Sequence, residues 1–444
     1  MRAFVKTSCP FRRDGGDNPT IRVALARSLL AATLVLVLAF VAAKAVPAQE
    51  GRAQENRVQG ETPNIGRAIH LVSGSDSQSA GLVIDLTREA TARFEVLENP
   101  DRIVIDLDGV VFPGSAALSS SKGQGPVSAW RAGLVMLGQS RIVLDLAKPA
   151  IVERIDVVRQ AGVPRLVVQI HTTDRGRFAE RAAADRAKRG ATRNAARAEA
   201  PAPRDARAKP LLVIDPGHGG IDPGASGLKG EAEKDIVLAV AKALKAVIEQ
   251  DGRIEVQLTR EDDRFIPLGE RVAFGRARGA ALFVSLHADS LVGERDVRGA
   301  SVYTLSDRAS DANAARAAEK ENRADLLAGV DVSEEQKEGV DDILFDLARR
   351  ETRLFSQIVA RRSVAALETG SRVHKTPLRS AGFRVLRAPD MPSILVELGY
   401  LSNPDDLTAL SSEGARGQLA KSLGKALVEF VMHGRNAVSG NSPG

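Results

Sequence analysis

Apolar positions along the chain fall into three regimes, and each predicts a different structure. Between residues 64 and 173 they come in short β-branched runs. Leu82–Leu86 (LVIDL) recurs as Ile103–Leu107 (IVIDL), as Ile142–Leu146 (IVLDL) and as Leu166–Ile170 (LVVQI). Arg93–Leu97 precedes the second copy and Arg154–Val158 the fourth, with turns at Asn99-Pro100-Asp101 and Gln160-Ala161-Gly162. Repeated hairpins of this composition predict a small all-β sandwich over 64–173. No cluster with metal-ligand spacing appears here, so the unit reads as a binding module.

Residues 174–209 change character. Their apolar content is almost all alanine, Pro201-Ala202-Pro203 interrupts it, and basic residues outnumber acidic ones. Such a segment buries too little to fold, so it reads as a basic linker with at most a transient helix. From Pro210 strands and helices alternate. Leu211–Asp215, Glu255–Thr259, Ala281–His287, Ala300–Leu305 and Ser393–Glu397 read as strands. Ile236–Glu249, Leu268–Arg278 and Gln418–Met432 read as helices, the first with Ile236, Val240, Leu244, Val247 and Ile248 on one stripe. The expected fold over 210–434 is α/β, with a mostly parallel or mixed central sheet flanked by helices. Residues 306–372 interrupt this pattern with polar helical sequence, in which Ile343, Leu347, Leu354 and Ile358 make one apolar stripe. An insert of that length inside a compact domain is usually functional. Residues 435–444 read as a frayed tail.

The N-terminus predicts export. A basic stretch precedes the apolar run Leu29–Ala43, and small residues follow at Ala43-Lys44-Ala45 and Val46-Pro47-Ala48. That order is a signal peptide over 1–48; the run is short for a membrane span, so no stable span is expected after cleavage. The single cysteine, Cys9, lies in the leader, and a thiol-free remainder suits a periplasmic or extracellular compartment. The net charge of +6 does not signal nucleic acid. Its positive excess sits in the leader and the linker rather than on a folded face. Aromatic residues, at 4%, are too few for base stacking.

Candidate chemistry gathers at strand ends. Asp215-Pro216-Gly217-His218-Gly219-Gly220 follows the first strand of the α/β unit, His287 ends another in Ser285-Leu286-His287-Ala288-Asp289, and Glu397 ends the last in Leu395-Val396-Glu397-Leu398-Gly399. Open α/β sheets keep their sites at such ends. Two imidazoles with a carboxylate suit zinc, with one coordination position left for water. A carboxylate closing an apolar strand is hard to explain as core, which makes Glu397 the candidate base. Asp215, Asp222, Asp235 and Asp289 are candidates for fixing an imidazole tautomer. His374 could touch substrate.

DPGHGGIDPGASG, then EKD, SLHAD and PSILVELGYLSN, occur in order over 210–434. Together they resemble the zinc-dependent N-acetylmuramoyl-L-alanine amidases of the amidase-3 family. The β-rich unit resembles the AMIN domain that often precedes that catalytic domain. The resemblance implies zinc held by His218, Glu233 and His287, with Glu231 the competing assignment for the carboxylate, and Glu397 as catalytic base or acid. It implies hydrolysis of the amide joining the lactyl group of N-acetylmuramic acid to L-alanine in peptidoglycan. It also implies an AMIN domain that binds the wall or directs the enzyme to the division septum. The insert resembles the regulatory helix region of the family's cell-separation members. That implies autoinhibition relieved by a periplasmic activator protein of the LytM type. Physically, an acidic side chain from Ala314–Arg323 could take the water's place on the metal, with Glu321 the first candidate and Glu319 the second. Another zinc peptidase acting on wall peptides, or a non-catalytic wall-binding scaffold, are the competing readings; the presence of all four chemical positions argues against the scaffold.

Overall fold

The computed structural model describes residues 64–74, 77–112, 118–120, 122–136, 138–197, 208–291, 293–331 and 343–433. The segments read as leader and tail lie outside these residues. Among the described residues no helix is long and apolar enough to cross a membrane.

The N-terminal unit contains β1 (Asn64–Ser73), β2 (Ser79–Leu86), β3 (Thr91–Leu97), β4 (Arg102–Asp108), β5 (Val110–Val111), β6 (Leu118–Ser120), β7 (Val127–Met136), β8 (Gln139–Leu146), β9 (Ala150–Gln160) and β10 (Val163–Thr172). One sheet runs β5-β1-β2-β10-β9 and the other β3-β4-β8-β7-β6. The four repeated runs are inner strands: β2 pairs antiparallel with β10, and β4 with β8. Alternate residues such as Leu82, Ile84, Ile103, Ile105, Leu166 and Val168 interdigitate between the sheets. Val104 and Val143 point the other way and are also buried, so the second sheet is covered on both faces.

The alanine-rich segment departs from the linker expected there. Helix α1 (Arg175–Arg197) packs on β3. Phe178 and Ala182, one turn apart, enter the sandwich core. Arg181 lies over the Phe94 ring at 4.7 Å, and the Asp185 carboxylate accepts the Val96 N–H at 3.0 Å. One phenylalanine at helical spacing from a small residue supplies an apolar face that composition alone conceals.

The C-terminal unit is a mixed six-stranded sheet in the order β12-β11-β13-β16-β14-β15. These strands are β11 (Leu211–Pro216), β12 (Glu255–Leu258), β13 (Leu282–His287), β14 (Ala300–Leu305), β15 (Val373–Ala381) and β16 (Ser393–Glu397). Pairing is parallel except between β14 and β16. Helices α2 (Glu233–Asp251), α6 (Ile343–Gly370), α7 (Pro404–Ser411) and α8 (Glu413–His433) cover one face. Helices α3 (Leu268–Ala277) and α4 (Ala312–Glu321) cover the other. The short α5 (Ala324–Leu327) follows α4. Two elements had escaped the pattern: β15, a polar edge strand, and α7, which starts on an Asn403 cap with Pro404 behind it.

The stripe on α6 is not the expected one. Leu354 is 45% exposed, whereas Phe355, Val359, Ala360 and Leu367 are buried, with Ile358 packed against them. The side chains of Ile343 and Leu347 lie outside the described residues.

Candidate active site

Strands β11, β13 and β16 run parallel, so their C-terminal ends share one edge. His287 and Glu397 are directly paired across β13 and β16. His218 sits just past β11 with φ +59°, a left-handed conformation that a side chain other than glycine adopts only under strain. Two buried guanidiniums hold that loop in place. Arg260 donates to the carbonyls of Pro216 and Gly217 at 3.0 and 2.8 Å, and Arg271 donates to the carbonyl of His218 at 2.7 Å. Asp215 does not reach an imidazole nitrogen. It anchors the loop by accepting from Arg271, Thr259 and Ser285.

Glu233 opens α2, where its charge suits the helix N-terminus. Both its oxygens accept backbone N–H groups, from Ala225 and Ala288 at 2.8 Å each. Its Oε1 lies 3.1 Å from His218 Nε2 and 3.2 Å from His287 Nδ1, and those two nitrogens are 3.1 Å apart. From the opposing helix α4, Glu321 places Oε2 3.3 Å from His218 Nε2 and 3.1 Å from His287 Nδ1. Two triangles thus share the nitrogen–nitrogen edge, one completed by Glu233 and one by Glu321.

Such spacing fits a small divalent cation. A tetrahedral ion with bonds of ~2.0 Å has ligand atoms about 3.3 Å apart, the scale of both triangles. The chemistry agrees. Facing imidazole nitrogens can share only one proton, while all the donors offer lone pairs to a metal. His218, His287 and Glu321 by themselves form a group able to hold an ion.

The charges are strongly perturbed. Burial disfavours the His218 imidazolium, but the Asp222, Glu233 and Glu321 carboxylates outweigh it and hold its pKa well above the usual value. Burial opposes the Glu233 anion, yet His218 and His287 hold its pKa well below the carboxylate range. Glu397 goes the other way: burial, reinforced by Asp289, Glu233 and Glu321, pushes it well above that range. Its Oε2 accepts the Asp289 N–H at 3.0 Å, and its Oε1 is buried without a hydrogen-bond partner among the described residues.

Of the other candidates, Asp222 meets the His218 ring, with its Oδ2 2.8 Å from Nδ1. Asp235 is exposed, and Asp289 serves Glu397 through its backbone. Glu231 accepts from the Lys229 N–H and lies away from the imidazoles. Glu319 does not reach the site. Its side chain is 64% exposed and pairs with Arg323 just past the end of α4, because it lies on the outer side of the helix whose inner side carries Ala314, Ala318 and Glu321. Lys320, overlooked in the sequence, binds Asp289 and lies 3.9 Å from Glu321. A cavity of about 220 Å³ adjoins Glu397, lined by Tyr303, Tyr400, His374, Arg379 and the α4 residues Arg316 and Lys320.

The sequence profile of the N-acetylmuramoyl-L-alanine amidase family (Amidase_3) matches residues 212–429, and that of the AMIN domain matches residues 71–170. The N-acetylmuramoyl-L-alanine amidase AmiC of Neisseria meningitidis serogroup B is 34% identical over 363 residues, 78% of this chain and 86% of the relative. The chain belongs to the N-acetylmuramoyl-L-alanine amidase family. AmiC of Escherichia coli O6:H1 is 32% identical over 355 residues, 77% of this chain and 84% of its own. AmiA of Escherichia coli K12 is 37% identical over 223 residues, 50% of this chain and 76% of its own. The long alignments to both AmiC amidases, against the shorter one to AmiA, match the two-domain organisation seen in the fold.

Proposed function

We propose that the chain is a zinc-dependent N-acetylmuramoyl-L-alanine amidase. It hydrolyses the amide between the lactyl group of N-acetylmuramic acid and the L-alanine of the stem peptide in peptidoglycan. The carrying observation is the triangle of His218 Nε2, His287 Nδ1 and Glu233 Oε1, with sides of 3.1–3.2 Å, beside the unpartnered Oε1 of Glu397.

His218, Glu233 and His287 would hold the zinc. Bound zinc supplies Lewis-acid polarisation of a carbonyl and brings the pKa of water toward neutrality. The protein does the rest. Asp222 receives the Nδ1 proton of His218, which fixes the tautomer and turns the Nε2 lone pair toward Glu233 and His287. The Asp289 N–H orients Glu397, leaving Oε1 to accept a proton from the attacking water and return it to the departing amine. The raised pKa of that carboxyl suits proton transfer in both directions.

The same reading makes the described state autoinhibited. Glu321 occupies the position on the donor set where water and substrate would enter. Export to the periplasm, action at the division septum and release of the insert by an activator protein complete the proposal. Mass spectrometry of digested sacculi tests the reaction. It calls for intact stem peptides and peptide-free glycan; trimmed stem peptides would mean a peptidase instead.

A further inference from the structure

The outward face of the second sheet of the sandwich covers the catalytic unit. Leu97, Val104 and Val143 pack against Ile221, Phe265, Ala324 and Ala328 in one apolar cluster. Ile221, three residues after His218, also donates its N–H to the Leu134 carbonyl at 2.9 Å. The larger part of the contact falls on the insert just beyond Glu321.

Three guanidiniums of this face converge on the end of α5, where helical carbonyls lack partners within the helix. Arg102 donates to the carbonyl of Leu326 at 2.5 Å. Arg131 donates to the carbonyls of Leu327 and Leu326, the latter at 3.3 Å. Arg141 donates to that of Ala328 at 3.3 Å. Asp145 and Asp106 aim two of these side chains, Arg131 through one contact at 2.6 Å and Arg141 through a fork at 2.6 and 2.9 Å. Arg102 is only 1% exposed beneath the insert. A buried guanidinium is tolerated where acceptors meet it, and the insert brings one of them. From α1, Arg186 and Arg189 reach Asp331 at 3.2 and 2.7 Å.

We propose that this sheet face is a docking surface for the enzyme's own insert, and that docking of residues 324–331 holds Glu321 in the active site. The claim rests on the autoinhibited reading and deepens it. Residues 322–325 join the docked stretch to Glu321 without slack: Asn322 bonds Gly382 and Arg384, and Asp325 accepts the Leu268 N–H. The AMIN-like unit thereby bridges the His218 loop and the insert, the two sides that must part for substrate to enter. In this account the wall-binding module is also the latch of the catalytic site.

The test uses the zinc-loaded full chain and release of dye-labelled fragments from purified sacculi without activator. Arg131→Gln with Arg141→Gln loosens the latch from the sandwich side, and Ala328→Asp does so from the insert side and leaves the sandwich untouched. Each should raise basal turnover by about tenfold or more, since charge-assisted bonds of this kind bias an open–closed equilibrium on that scale. Hydrogen exchange over 312–331 should quicken in step, with zinc content and melting temperature otherwise retained. Glu321→Ala provides the reference, because it unblocks the site with the latch intact. If Glu321→Ala is activated while the folded latch variants stay at wild-type rates, the latch is wrong and autoinhibition stands. If Glu321→Ala is also unchanged, the autoinhibited reading falls and the latch falls with it.

Discussion

Replacing Gly224 by alanine should weaken zinc binding without unfolding the protein. Gly224 has φ +69°, and a Cβ placed there would come within 2.7 Å of both Glu233 Oε2 and His218 Cδ2. Its N–H also bonds Asp222 at 3.1 Å, the carboxylate that orients His218. The backbone penalty for a side chain in this conformation is about 1–2 kcal/mol. The clash adds to it by pushing two proposed ligands several tenths of an ångström apart or off axis. Disturbance of ligand orientation of this kind costs ~10–100-fold in metal affinity. Zinc affinity is read by competition with a chromophoric chelator, and folding by thermal melting. Gly230→Ala is the matched control: it has φ +89° and nothing within 4 Å of the added methyl. It should lose a similar amount of stability and no zinc affinity. Wild-type affinity in Gly224→Ala, or equal losses in the two variants, would refute the argument that close packing against the donor set requires this glycine.

Asp222→Asn keeps the shape of the His218 contact but removes the carboxylate, so zinc affinity or turnover should fall ~10–100-fold at constant stability; the chelator competition and the sacculus assay read both, and no change in either would mean Asp222 is not the orienting group. Phe178→Ala should destabilise the sandwich by about 3 kcal/mol, because the ring is fully buried in its core; denaturant unfolding measures it, and a loss below ~0.5 kcal/mol would return α1 to the status of a linker.

Much of the catalytic unit was legible because each signal was local. His218, His287 and Glu397 stand at the ends of apolar runs, and parallel pairing brings such ends together whatever lies between. Glu321 ranked ahead of Glu319 without a decisive signal, because alanines lie all round ANAARAAEKE and leave the inner side of the helix open; packing buries Ala314 and Ala318, and that phase carries Glu321 inward. What escaped depended on contacts between distant segments. Arg260 and Arg271 look like surface residues until a glycine loop presents its carbonyls to them. The contact between the two units did leave a trace. IVIDL and IVLDL are apolar on both faces, and a strand in a free-standing sandwich alternates. Val104 and Val143 are surplus residues of this kind, and the insert together with Ile221 and Phe265 covers them; Val83 and Val167 hold the same place in LVIDL and LVVQI and are buried as well, so the pattern marks a covered face without naming what covers it.

The central claim is that His218, Glu233 and His287 hold the metal and that Glu321 only blocks it. Elemental analysis of zinc per chain, on wild type, Glu321→Ala and Glu233→Ala purified side by side, separates the two carboxylates. The account predicts a single tightly held zinc in Glu321→Ala and its loss in Glu233→Ala. A Glu233→Ala protein that keeps its zinc while Glu321→Ala loses it would contradict the account and transfer the metal to the other triangle.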